Sequence, residues 1–181
     1  MADGTILELE PCKAEPISTA DSDAGRMRVS VIFTTIAGTA AALETAAKFA
    51  RQLNAEVVLV VAEEIYFRYA LESPPVSANF FEKLCLALLE ELQLDSHATR
   101  IEILFCRDQV QCLQNVLAPR SLVLIGKRKR WLNFRERKIE RGLSRQGHEV
   151  IVITSNSRLS GSLAESVTRR LLVEAKAPSS L

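Results

Sequence analysis

Val29-Ser30-Val31-Ile32-Phe33-Thr34, an alanine-rich segment, and then Val57-Val58-Leu59-Val60-Val61-Ala62: residues 29–62 decide the fold class. The first run is short, β-branched and aromatic, as a buried strand requires. The second is almost wholly apolar, so neither of its faces meets water. Between them, after Ala37-Gly38-Thr39, the residues Leu43, Ala46, Ala47, Ala50 and Leu53 fall on one helical stripe. A helix of about 14 residues is expected, with Asn54 as a left-handed stop. Continuous apolar strands separated by helices describe a parallel sheet covered on both faces.

The same texture continues downstream. Ser77 is a candidate cap for a second helix, in which Phe81, Leu84, Cys85, Leu88 and Leu92 keep helical spacing. Ile101 to Cys106 reads as a third strand, and Val110, Leu113 and Leu117 mark a short helix that stops before Pro119. Leu122-Val123-Leu124-Ile125-Gly126 is the fourth strand and Val150-Ile151-Val152-Ile153-Thr154 the fifth, with a basic helix closed by Gly147 between them. Ser162-Leu163-Ala164-Glu165 has the form of a capping box, and Leu163, Val167 and Leu171 follow as an apolar stripe, so a short terminal helix is expected. The chain thus divides into a flexible arm over residues 1–25, an α/β domain over 26–156, and a terminal helix and tail over 157–181.

Composition agrees with this class. The chain has 181 residues, 48% hydrophobic and 25% charged, enough for one domain with a sizeable core. No apolar run reaches the roughly 20 residues of a membrane span. The start Met1-Ala2-Asp3-Gly4 lacks the basic and apolar parts of a signal peptide, so a cytoplasmic location is expected. Cys12, Cys85, Cys106 and Cys112 form no C-x-x-C pair, and with only His97 and His148 besides, no metal site is expected. The net charge of +1 hides an asymmetry: Lys127 to Arg145 carries a local excess of basic residues, and the remainder is acidic.

In an open, doubly wound sheet of this kind, ligands bind at the carboxyl ends of strands where the order reverses. Two loops there stand out, Thr34-Thr35-Ile36-Ala37-Gly38-Thr39 and Gly126-Lys127-Arg128-Lys129-Arg130-Trp131. The first feeds a helix N-terminus, whose free N–H groups favour anions.

From Arg28 to about Ser155 the chain resembles the universal stress protein family. The first strand, the helix ending Ala46-Ala47-Lys48-Phe49-Ala50, the apolar strand ending in Gly126 and the last strand Val150–Thr154 carry the likeness. The basic stretch with Arg130-Trp131 is also similar to the stress-protein-like module of potassium-sensing histidine kinases. The resemblance implies a five-stranded parallel sheet in the order 3-2-1-4-5, in an adenine nucleotide alpha hydrolase-like three-layer sandwich, with the Thr34 loop beside Gly126. It also implies dimerisation through the last strand, the apolar edge Val150–Thr154.

ATP-binding members have an Asp after the first strand and a loop G-x-x-G, nine residues, then Gly and Ser or Thr. Here Thr34 stands in place of the Asp, Gly126 matches the first glycine, Lys129 replaces the second, and Ile139-Glu140 stands where Gly-Ser is expected. Glu140 would repel a phosphate, so a degenerate nucleotide site without a resident cofactor is expected. The residues that would touch any nucleotide are Thr34, Thr35, Gly38, Gly126, Lys127, Lys129, Arg130 and Glu140.

Two readings of the basic segment remain open. It is an anion site for a nucleotide, an acidic protein, nucleic acid or an anionic surface; or it is a solvated face, with Glu136 and Glu140 paired to neighbouring arginines and Trp131 and Phe134 anchoring the loop. No catalytic constellation is evident: neither His is spaced as a partner for Cys106 or Cys112, and Asp108 reads as a helix cap. A non-enzymatic binding or signalling module of the stress-response type is the expectation.

Overall fold

The structure is a computed structural model, and it describes residues 27–95, 98–128, 134–155 and 157–176. Five strands, β1 (Arg28–Ile32), β2 (Glu56–Glu64), β3 (Thr99–Cys106), β4 (Leu122–Arg128) and β5 (Glu149–Ser155), alternate with α1 (Ile36–Leu53), α2 (Ala78–Glu91), α3 (Gln109–Val116) and α4 (Phe134–Arg145). A fifth helix, α5 (Ser157–Lys176), follows β5. The strands form one sheet in the order β3-β2-β1-β4-β5, every pair parallel. This is the α/β architecture and strand order that the resemblance implies.

The period of two along each strand sorts the core into two clusters. Val29, Val31, Val57, Leu59, Val61 and Leu124 face α1, α2 and α5. Ile32, Val58, Val60, Val123 and Ile125 face the opposite way, onto Leu113 of α3 and Ile139 and Leu143 of α4. Both faces are therefore covered, which is why these strands read as unbroken apolar runs. The expected anchors of α2 lie in the first cluster, Cys85 among them, and Ser77 caps that helix by accepting from the Phe80 N–H.

Helix ends follow local chemistry closely. Thr35 caps α1 through its side chain, Asn54 closes it at φ 49° in the left-handed region, and Asp108 caps α3 by accepting from the Val110 and Gln111 N–H groups. Gly147, at φ 87°, turns the chain after α4.

Three expectations are corrected. Leu53 is 46% exposed, because the buried surface of α1 is its first half, Ala37 to Ala46, where sheet and α5 enclose it. The capping box at Ser162 does not form: α5 begins at Ser157, so Ser162 and Glu165 lie within the helix, where the N–H groups already have carbonyl partners. And α5 is no short appendage. Its Val167 is fully buried in the α1–α2 cluster, with Leu163 and Leu171 packed beside it. Among the described residues no helix is long and apolar enough to cross a membrane. The proposed arm, residues 1–25, lies outside the described residues, as do His97 and Cys12.

Candidate functional site

The site is created by unequal strand lengths. β1 ends at Ile32, which pairs with Val60 on one side and Ile125 on the other. β2 runs on to Glu64 and β4 to Arg128. A notch opens above the end of β1, at the point where the strand order reverses.

On the β4 side the notch is floored by backbone. The Thr34 hydroxyl donates to the Gly126 carbonyl at 2.6 Å. The Thr34 N–H donates to Thr39 Oγ1, the Gly38 N–H to Thr35 Oγ1, and the Thr39 N–H to the Thr35 carbonyl. Gly38 and Gly126 lie backbone to backbone: a Cβ on Gly38 would sit 2.7 Å from the Gly126 oxygen, and a Cβ on Gly126 would overlap the Gly38 carbonyl. Thr34, Thr35, Gly38 and Gly126 are thus brought together, as the family resemblance implies. Their polar groups, however, are satisfied by one another.

On the β2 side the physical problem is an acceptor. The Val60 carbonyl receives the Phe33 N–H; two residues on, the Ala62 carbonyl points the same way, but the chain has by then turned into α1. Gln109, only 2% exposed, supplies the missing donor, its amide 2.7 Å from the Ala62 oxygen. Arg135, in the first turn of α4, donates to the Gln109 side-chain oxygen at 2.9 Å, to the Ala62 carbonyl at 3.3 Å and to Glu63 at 3.2 Å. A guanidinium and a buried amide therefore stand in for the absent strand, and each pairs the other. Nothing in the spacing of Gln109 and Arg135 announces this; it follows from where β1 stops.

The basic segment divides here. Lys127 lies in β4 opposite Thr154. Lys129, Arg130 and Trp131 lie outside the described residues. Glu140 is about 9 Å along α4 from Phe134, away from the helix start. The carboxylate in the first turn is instead Glu136, which is buried. Among the described residues no ion pair reaches Glu136 or Glu140: the α4 cations bond outward, Arg135 to Glu63 and Lys138 to Asp108 at 3.5 Å. Phe134 does not bury its ring: it is 77% exposed.

Phe134, Arg137, Lys138, Arg141, Gly142 and Arg145 line a surface cleft of about 470 Å³ between α4 and α3, with Asp108 and Val110 on the far wall. Four cations face one acid. Partial burial pushes the Asp108 carboxyl up, but the N–H groups of Gln111 and Val110 and the Lys138 ammonium outweigh it and hold the group below its ordinary value.

A second cationic feature escaped the sequence. Arg107, just after β3, donates to the carbonyls of Ile65, Tyr66 and Tyr69 at 2.9, 2.7 and 2.8 Å and lies 5.1 Å from the Phe67 ring centre. It folds residues 65–69 into a fixed loop at the same end of the sheet. Only the composition of Tyr66-Phe67-Arg68-Tyr69 could have drawn attention to it.

His148 is buried, with Nδ1 3.0 Å from the Ser121 hydroxyl, and ties the turn before β5 to the start of β4. Cys106 and Cys112 are neighbours; a hydrogen bond from Cys106 lowers the Cys112 thiol, against the opposing effect of burial. Cys85 is pushed up to about 12 by burial and by Glu82. Among the described residues no cluster of three or more metal-binding side chains occurs.

No family model matches the chain, and no curated protein matches it. Solved structures do. It is similar to a universal stress protein from Archaeoglobus fulgidus, at 16% identity and TM-score 0.47, over 70% of this chain and 93% of that one. A universal stress protein in complex with cAMP matches at 12% identity and TM-score 0.45, over 70% and 95%. The Archaeoglobus fulgidus protein in complex with dAMP matches at 14% and 0.44, over 73% and 98%. The chain's own sheet pairing gives a five-stranded parallel α/β sheet in the order 3-2-1-4-5.

Proposed function

We propose that this protein is a non-enzymatic, cytoplasmic binding module of the stress-response type, whose working surface is the basic cleft of α4 and not the notch at the end of β1. One observation carries the reading: the cleft gathers Arg137, Lys138, Arg141 and Arg145 against a single carboxylate, Asp108. Guanidinium groups set side by side suit oxygen anions, which they bind in pairs of hydrogen bonds. At the notch, the polar groups that would meet a nucleotide have internal partners: Thr34 holds Gly126, and Gln109 and Arg135 hold Ala62. Binding there would require breaking those bonds first.

A heparin column tests the cleft. The wild type is expected to be retained and to elute with rising salt, and Arg141→Glu with Arg145→Glu to elute much earlier. Equal elution of the two proteins refutes the reading. Mg-ATP tests the alternative of an adenine-nucleotide site: a ligand at 100 times its dissociation constant adds about 2.7 kcal/mol of stability. An unchanged melting temperature at millimolar Mg-ATP is expected. A clear rise would return the function to the Thr34–Gly126 notch.

A homodimer paired along Val150–Thr154 belongs to the same proposal. It is supported by the position of β5 at the edge of the sheet and by α5, which packs on α1 and α2. Sedimentation equilibrium checks it, and a monomer at all concentrations would refute it.

A further inference from the structure

We infer that the ligand of this face is single-stranded nucleic acid, its phosphates on the cations of α4 and its bases on the exposed rings of Phe134, Tyr66 and Phe67. The inference rests on the basic-cleft reading and names its ligand.

Phe67 is 87% exposed and Tyr66 73%, and they stand at the carboxyl end of the sheet together with Phe134. Aromatic rings so open to water serve no core. They are also held in place. The Arg107 guanidinium clamps three carbonyls of their loop, the Ile65 N–H donates to the Cys106 carbonyl, and Arg68 lies 4.8 Å from the Tyr69 ring centre. A fixed loop presents its rings without losing conformational entropy on binding.

The loop and the cleft are linked through Arg107 and Asp108. The Tyr66 carbonyl bonds Arg107, Arg107 is the chain neighbour of Asp108, and Asp108 pairs with Lys138 in the cleft wall. Beyond Lys138 the cations of α4 extend over about 10 Å to Arg145. Cations on α4 with exposed rings at the same end of the sheet are the composition that a phosphate backbone with unpaired bases selects, since every base has a face to stack.

Other anionic partners match less well. A bilayer is flat and cannot enter a concave cleft. An acidic peptide meets the cations but leaves the rings in water. A duplex hides its base faces in its own stack.

Fluorescence anisotropy of the full chain with four labelled probes tests this: an oligothymidylate longer than the roughly 4–16 nucleotides a single-strand-binding fold occupies, an abasic strand of equal length, a duplex, and vesicles rich in phosphatidylserine. The oligothymidylate is expected to bind at least about fivefold more tightly than the abasic strand. Tyr66→Ala with Phe67→Ala, which removes two exposed rings, one of them stacked on Arg107, is expected to remove most of that difference while leaving heparin retention and the circular dichroism spectrum unchanged. Equal affinity for the two strands, tighter binding to duplex or vesicles, or an unaffected double variant would each overturn the inference. If heparin retention still depends on Arg141 and Arg145 in that event, the basic cleft stands without its proposed ligand. If it does not, both fail.

Discussion

Gly126→Ala is the sharpest perturbation of this fold. The added Cβ would overlap the Gly38 carbonyl, which belongs to backbone in the first turn of α1 and cannot rotate away. The reciprocal contact gives the scale: a Cβ on Gly38 would lie 2.7 Å from the Gly126 oxygen, where ordinary contact begins at 3.4 Å. The Gly126 Cβ intrudes deeper still, so more than the roughly 0.7 Å missing at Gly38 must come from moving helix against strand. Overpacking of this kind costs about 1–3 kcal/mol, and loss of the 2.6 Å Thr34–Gly126 hydrogen bond about 0.5–1.5 more. Together the loss is about 1.5–4.5 kcal/mol, which for a chain of 181 residues lowers the melting temperature by roughly 3–18 °C. Thermal denaturation followed by circular dichroism reads it directly. A Gly126→Ala protein melting within about 2 °C of wild type would refute the argument that this glycine is required for close packing.

Other consequences are equally direct. Gln109→Leu removes a buried donor to the Ala62 carbonyl and a partner of Arg135, and is expected to cost about 1–3 kcal/mol in urea denaturation. The Asp108 carboxyl, held below its ordinary value of 3.8, stabilises the fold at pH above that value, and the contribution is lost as pH falls through its folded pKa. Asp108→Asn, which keeps a cap but no charge, is expected to flatten that part of the acid-denaturation curve and, by removing the one acid in the cleft, to raise heparin elution salt. Alkylation by iodoacetamide near neutral pH, followed by mass spectrometry, is expected to modify Cys112 well before Cys85, whose thiol is buried and pushed up to about 12. Labelling of Cys85 in the folded protein at a comparable rate would contradict the packing of α2.

By itself the sequence determined the layers. The runs Val57–Ala62 and Leu122–Ile125 are apolar at consecutive positions, which only a strand buried on both faces requires, and Asn54, Ser77, Asp108 and Gly147 end or begin helices through chemistry confined to a few neighbouring residues. The meeting of Thr34 with Gly126 came from the family resemblance, whose strand order 3-2-1-4-5 reverses at β1 and puts those two strand ends side by side. What the sequence could not supply was anything that depends on where one strand stops relative to another. The orphaned Ala62 carbonyl exists because β1 ends at Ile32 while β2 continues, and Gln109 and Arg135 answer it from 47 and 73 residues away in the chain. Likewise Ser162 looks like a cap until α5 is seen to begin earlier, and Arg107 looks like a surface cation until three carbonyls converge on it. Periodicity reports which side of an element is apolar, a local property; the pairing of polar groups across elements is set by register and strand length, which only the assembled sheet decides.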